Sequence, residues 1–176
     1  MHFRHIILAL SLGTMASAAW AESGVISKQG SGFAVYGEVE NYTIYANAER
    51  MTCLAEAVDA AGTVVQMGLN KDRDLGYIGV FTQADIYGGD APKDAPLVIT
   101  VNGNVYTGEG EMETKRLARG YHGGYILANN PNFVADIENG EAMIAFSDRG
   151  DGIVVDLTGT KKAIEEASAC TASLNS

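Results

Sequence analysis

The stretch LVITVNGNVYT, residues 97–107, decides the fold class of this chain. Two short runs rich in β-branched residues, Leu97 to Val101 and Val105 to Thr107, flank the dipeptide Asn102-Gly103. Asn-Gly is strongly preferred in two-residue hairpin turns, because both central positions of such a turn need a positive φ angle. The stretch therefore predicts an antiparallel β-hairpin.

Similar short strands are predicted on both sides of this hairpin. Each is an apolar, aromatic or β-branched run bounded by turn-forming residues, and Gly62 is expected in a left-handed conformation at one such turn. The other predicted strands are Phe33–Gly37, Tyr42–Ala46, Met51–Val58, Thr63–Leu69, Gly76–Thr82, Tyr121–Ala128, Met143–Phe146 and Ile153–Leu157. These short strands at hairpin spacing predict a mainly β protein, either an antiparallel β-sandwich or a barrel-like domain.

Two helices complete the predicted domain. Asn130 to Asn139 carries a proline in its first turn and is followed by Gly140, which is typical of a short helix. From Thr158 to about Leu174, small and apolar residues recur at helical spacing, with Thr160 as the expected N-cap. This C-terminal α-helix presents Ala163, Ala167 and Cys170 on one stripe, so it can lie close against a sheet.

The first residues have the composition of a secretion signal. Arg4 precedes an apolar run from Ile6 to Leu12, and Ala19-Trp20-Ala21 is an A-x-A cleavage pattern. The apolar run is too short to span a bilayer, and no later stretch is apolar enough to do so. The expected organisation is a signal peptide over 1–21, a flexible N-terminal segment over 22–32 and a single β-rich domain with its helix over 33–176.

Cys53 and Cys170 are the two cysteines of the chain. In an oxidising compartment such as the periplasm or the extracellular space, two thiols are expected to pair. Pairing places Cys170 of the C-terminal helix against Cys53 of a strand. It also argues against a cysteine nucleophile, because that would need a reduced thiol.

The charge of the chain restricts its partners. The formal net charge is −10, and cleavage of the leader would leave −11 because it removes one basic residue and no acidic one. Such a chain repels nucleic acid and anionic lipid. The expected partner is an envelope or extracellular protein, and the acidic surface together with the Pro/Gly-rich loop over 87–96 is the expected contact region.

Motifs for catalysis or metal binding are weak. His122 is the one histidine after the leader, and no serine lies in a G-x-S-x-G motif. Asn70 to Asp74 imitates the start of a calcium loop, but Leu75 and Phe81 occupy the positions that need Gly and Glu. Asp148 and Asp151 share a turn that could reach a cation. No metal and no cofactor are predicted.

Three short motifs remain as surface candidates. Tyr121, His122 and Tyr125 form an aromatic group that is the predicted ligand-binding site. Arg149-Gly150-Asp151 and Asn41-Tyr42-Thr43 match an integrin motif and a glycosylation motif, although a hairpin turn and a strand start explain them as well.

The C-terminal region resembles a known group of bacterial proteins. A strand over Ile153–Leu157, the turn over 158–160 and a helix with Ala163-Ile164 that closes near Cys170 resemble the end of periplasmic proteins of the invasion-associated locus B group. The strand from Tyr45 to Cys53 is also similar to that pattern. The resemblance implies a small secreted β-rich domain without assigned catalysis.

These observations favour an exported, non-catalytic binding or assembly domain in the periplasm or outside the cell. Two alternatives stay open, an envelope-associated structural protein and a secreted hydrolase. A hydrolase would need two carboxyl groups that folding brings to within roughly 5–9.5 Å of each other. The candidates for such a pair are Asp136, Glu138, Asp148, Asp151 and Asp156.

Overall fold

The computed structural model describes residues 32–69, 75–89, 96–108 and 120–176. These ranges contain ten strands and two helices: β1 (Phe33–Val39), β2 (Tyr42–Asn47), β3 (Thr52–Val58), β4 (Val64–Leu69), β5 (Gly76–Thr82), β6 (Val98–Val101), β7 (Asn104–Thr107), β8 (His122–Leu127), α1 (Pro131–Asn139), β9 (Ala142–Ala145), β10 (Ile153–Asp156) and α2 (Thr160–Leu174). Each element lies within two residues of its predicted bounds.

The strands form two antiparallel sheets. The large sheet has the order β1-β2-β3-β4-β5-β8, and the small sheet has the order β10-β9-β6-β7. Within the described residues neither sheet closes on itself, which is consistent with the predicted sandwich and not with a closed barrel. One buried core holds residues of both sheets and both helices, including Ile44 and Val80 of the large sheet and Ile99 and Ala145 of the small one.

The hairpin around Asn102-Gly103 lies in the small sheet. β6 pairs with β7 through Val101 and Asn104, and it pairs with β9 on its other side. Asn102 and Gly103 both have positive φ angles, 51° and 79°. This is the conformation that a two-residue hairpin turn of this type requires, so the predicted turn is confirmed.

Helix α2 packs on strands β2 and β3 of the large sheet. Ala163, Ala167 and Cys170 are its buried stripe, and Cys170 forms a disulfide with Cys53 at a Cα–Cα distance of 5.9 Å. The predicted pairing is therefore confirmed. Small side chains on this stripe let the helix approach the sheet closely enough for the bond to form.

The start of α2 differs from the prediction. The N-cap is Gly159, with a φ of 83°, and Thr160 is the first helical residue. A Cβ atom on residue 159 would lie 2.7 Å from the Cβ of Glu40, so both the turn and the neighbouring strand end require glycine here. The buried hydroxyl of Thr160 instead forms a 2.8 Å hydrogen bond with the hydroxyl of Tyr42.

Several predicted segments lie outside the described residues. They are the signal peptide over 1–21, the segment over 22–32 apart from Gly32, the calcium-like turn over 70–74 and the loop over 87–96 apart from its ends. In the part of the chain that the structure describes, no helix is both long and apolar enough to cross a membrane.

Candidate functional site: an apolar cleft beside the disulfide

An apolar cleft of about 310 Å³ opens between the two helices and the large sheet. Its floor comes from strands β3 to β5 and includes Cys53, Met67 and Ile78. Residues of α1 form one wall and residues of α2 the other. The side chains along these walls are mostly apolar, and they include Phe133, Val134, Ile137, Ile164 and Ala167.

Local sequence signals fix the wall that α1 provides. Asn130 caps the helix by accepting a hydrogen bond from the backbone N–H of Asn132, and Pro131 occupies the first turn. Phe133 and Ile137, four residues apart, share one helix face, and both are buried. This spacing anchors the helix in the core.

A second set of contacts holds the other side of α1 against the β6–β7 hairpin. The carboxylate of Asp136 accepts hydrogen bonds from Asn102 Nδ2 at 3.2 Å, Asn104 Nδ2 at 2.9 Å and the Tyr106 hydroxyl at 2.6 Å. These three donors favour the ionised form, and they hold the pKa of Asp136 below its ordinary value. The Tyr106 ring also packs on Phe133, with 4.8 Å between ring centroids.

The wall that α2 provides is tied to the sheet beside the cleft. Cys170 bonds to Cys53, and the backbone N–H of Cys53 donates to Thr171 Oγ1 at 2.9 Å. Cys53, Ala167 and Thr171 all line the cleft. The disulfide therefore fixes the distance between the floor and this wall.

The three residues of the predicted ligand site do not form one surface. Because side chains alternate along a strand, Tyr121 and Tyr125 point to one face of the large sheet and His122 to the other. The Tyr121 hydroxyl donates to the carbonyl of Gly62 at 3.1 Å, and the Tyr125 ring packs edge-on against Tyr77 at 6.1 Å. Burial and the nearby Glu56 carboxylate raise the pKa of Tyr77 to about 12. Ring packing and hydrogen bonding thus explain the positions of both tyrosines.

His122 lies in a different cluster. Its ring is 5.8 Å from the Tyr87 ring, and the guanidinium of Arg149 lies 5.3 Å from the centroid of Tyr87. Among the described residues, no hydrogen-bond partner reaches the buried Nε2 atom of His122. The ligand-binding role of Tyr121, His122 and Tyr125 stays a prediction.

The five carboxylates considered for hydrolysis occupy different surroundings. Asp136 is held by the hairpin as described, Asp156 accepts a hydrogen bond from the backbone N–H of Thr158 at 2.8 Å, and Asp148 lies 3.0 Å from Arg149 Nε. Asp151 is exposed in the turn between β9 and β10. Glu138 is the member of the set that lines the cleft.

Side chains that can bind metals are not clustered in the described ranges. No cluster of three or more His, Cys, Asp or Glu side chains there could hold a metal ion.

Flat apolar surface is present elsewhere on the molecule. Val154, Ile144, Thr100 and Val105 are register partners in one row across the small sheet. Val154 and Val105 are 67% and 65% exposed. This row is part of an open sheet face, whereas the cleft is concave, as binding sites for small molecules usually are.

Sequence patterns did not reveal the cleft. The stripe of α2 correctly predicts a helix that lies against a sheet, and Phe133 and Ile137 indicate a buried face of α1. What is missing from these local patterns is the distance between the two helices. That distance depends on where the chain places α1 relative to strands that are far away in sequence.

Comparisons with protein families, with curated proteins and with solved structures found no match to this chain. The resemblance to the invasion-associated locus B group therefore stays an expectation, and the candidate site rests on the geometry described above.

Proposed function

We propose that this chain is an exported, non-catalytic binding protein that takes an apolar small molecule into the cleft between α1 and α2. The observation that carries the proposal is the cleft itself, with its volume of about 310 Å³ and its mostly apolar walls. Small-molecule sites are usually concave and apolar, with roughly 300–1,000 Å³ of space, so this cleft suits a small or slender ligand.

Burial of apolar surface supplies the driving force for such binding. Each CH₂ group that leaves water contributes about 0.8 kcal/mol. The walls offer contacts from Phe133, Ile137 and Ile164. Because the disulfide already fixes one wall of the cleft, less conformational entropy is lost when a ligand binds.

Placement in the periplasm or outside the cell is part of the proposal. A disulfide between residues 117 positions apart supports it, because such bonds persist in oxidising compartments. The A-x-A pattern that ends at Ala21 and the resemblance of the C-terminal region to periplasmic proteins support the same placement.

A fluorescence titration tests the binding role. The oxidised protein is titrated with N-phenyl-1-naphthylamine, an uncharged apolar dye whose emission rises in apolar surroundings. We expect saturable binding to the wild-type protein. Ala128 lines the cleft, so Ala128→Leu adds three carbon atoms at its wall and should weaken dye binding at least tenfold.

Ala142→Leu is the matched control, because Ala142 is exposed on β9 and takes the same substitution outside the cleft. Its dye affinity should stay within twofold of wild type. Thermal unfolding of both variants checks that they are folded. Equal dye affinity in wild type and Ala128→Leu, with both proteins folded, contradicts the proposal, and so does an absence of saturable binding to the wild type.

A further inference from the structure

In the described ranges, the polar side chains that line the cleft include an acidic residue and no basic one, and this composition limits the kind of ligand that fits. Three of the lining side chains beside the helices are polar: Glu138 at the end of α1, and Ser168 and Thr171 on α2. Among the described residues that line the cleft, none is Lys, Arg or His. Glu138 is the member of this lining that carries a charge at neutral pH.

The Glu138 carboxylate has unused hydrogen-bonding capacity. The side chain is half-buried, and within the described ranges it takes part in no hydrogen bond and no ion pair. A partly buried carboxylate of this kind is stabilised when a donor or a cation approaches.

The position of Glu138 in its helix increases the negative potential. It is the penultimate residue of α1, where the helix dipole places partial negative charge, and the last turn contains no basic residue. A carboxylate at a helix C-terminus is electrostatically unfavourable, whereas a cation there is favourable. This end of the cleft therefore attracts positive charge.

Two polar side chains of α2 that line the same cleft add acceptors. The Ser168 hydroxyl donates to the carbonyl of Ile164 at 2.8 Å, so its remaining hydrogen-bonding capacity is as an acceptor. Thr171 Oγ1 already accepts from the backbone of Cys53. The net charge of −10 over the whole chain also favours the approach of a cation.

Because apolar walls and the Glu138 carboxylate line the same cleft, we infer that its ligand is a cationic amphiphile. Its apolar body would lie between α1 and α2, with an ammonium-type head against Glu138. The inference rests on the proposed function and adds the chemical class of the ligand. A fatty-acid anion would place its carboxylate beside Glu138 and is disfavoured by charge repulsion.

Displacement of the dye by three probes with one chain length tests the inference. The probes are decyltrimethylammonium, decanol and decanoate, which differ in head-group charge. We expect decyltrimethylammonium to displace N-phenyl-1-naphthylamine at a concentration at least tenfold lower than decanoate, with decanol between them. Glu138→Gln should reduce this difference to less than threefold.

Glu141→Gln is the control, since it removes one negative charge from an exposed position near the same helix end. It should keep the tenfold preference, which separates a contact with Glu138 from the attraction of the net charge. If the dye and decanol bind but decanoate competes as well as the cation, or Glu138→Gln keeps the preference, the inference is wrong and the proposed function stands. If neither the dye nor any probe binds, both are wrong.

Discussion

The two helices form opposite walls of one cleft beside the large sheet, but they are attached in different ways. α2 is tied near both ends, by the hydrogen bond between Thr160 and Tyr42 at its start and by the disulfide at Cys170 near its end. α1 is held by the packing of Phe133 and Ile137 and by the hydrogen bonds of Asp136. The cleft therefore lies between a wall fixed by a covalent bond and a wall held by packing and hydrogen bonds.

This difference indicates which wall responds to a ligand. Local opening costs less free energy where a segment is held by few buried contacts and by exposed hydrogen bonds. α1 spans nine residues and buries two of them, whereas α2 spans fifteen residues and buries four. We infer that α1 is the more easily displaced wall and that ligand binding stabilises it.

Removal of the disulfide, which fixes the wall formed by α2, should have the largest effect on the stability of the protein. Replacing both cysteines, in the double variant Cys53→Ala/Cys170→Ala, should lower the free energy of unfolding by about 3–5 kcal/mol. The cause is the loss of a link between positions 117 residues apart, which restricts the unfolded chain. Urea unfolding followed by far-ultraviolet circular dichroism measures the difference. A loss of unfolding free energy below about 1 kcal/mol would show that the disulfide is not what holds α2 in place.

Substitution of Asp136 should have a smaller effect, and the effect should depend on pH. Hydrogen bonds from Tyr106, Asn104 and Asn102 lower the pKa of Asp136 below its ordinary value in the folded protein. The stabilisation is therefore complete above the unfolded-state pKa, and it is lost as the pH falls through the lower folded-state value. Asp136→Asn should have a lower melting temperature than wild type at pH 7, and the difference should shrink below pH 4.

Asp151→Asn provides the control for the pH experiment, because it makes the same charge change in an exposed turn. Its melting temperature should follow that of wild type at every pH. If Asp136→Asn differs from wild type by the same amount at pH 7 and pH 3, the ionised carboxylate does not hold α1 to the hairpin.

Much of the fold follows from local sequence patterns. Turn signals such as Asn102-Gly103 and the helical spacing of Ala163, Ala167 and Cys170 place the elements correctly. The pairing of the cysteines also follows, because the chain has two of them and two thiols are expected to pair in an oxidising compartment. These features depend on neighbours in sequence or on a single pair of residues.

The sheet order and the site depend on long-range contacts and could not be predicted in this way. β5 pairs with β8 and β6 with β9, and nothing in the strands themselves specifies those partners. The same limit applies to Asp136, a candidate acid in the sequence that the fold places against the β6–β7 hairpin. The split of Tyr121 and Tyr125 from His122 could have been foreseen from the two-residue period of a strand.

Amide hydrogen exchange of the oxidised protein, with and without saturating N-phenyl-1-naphthylamine, tests whether the cleft between α1 and α2 is the binding site. Binding in the cleft should slow exchange in α1, from Phe133 to Asn139, while exchange in β9 and β10 stays the same. Unchanged exchange in α1 at saturation, or slower exchange confined to the small sheet, would contradict the claim that the cleft between the two helices is the binding site.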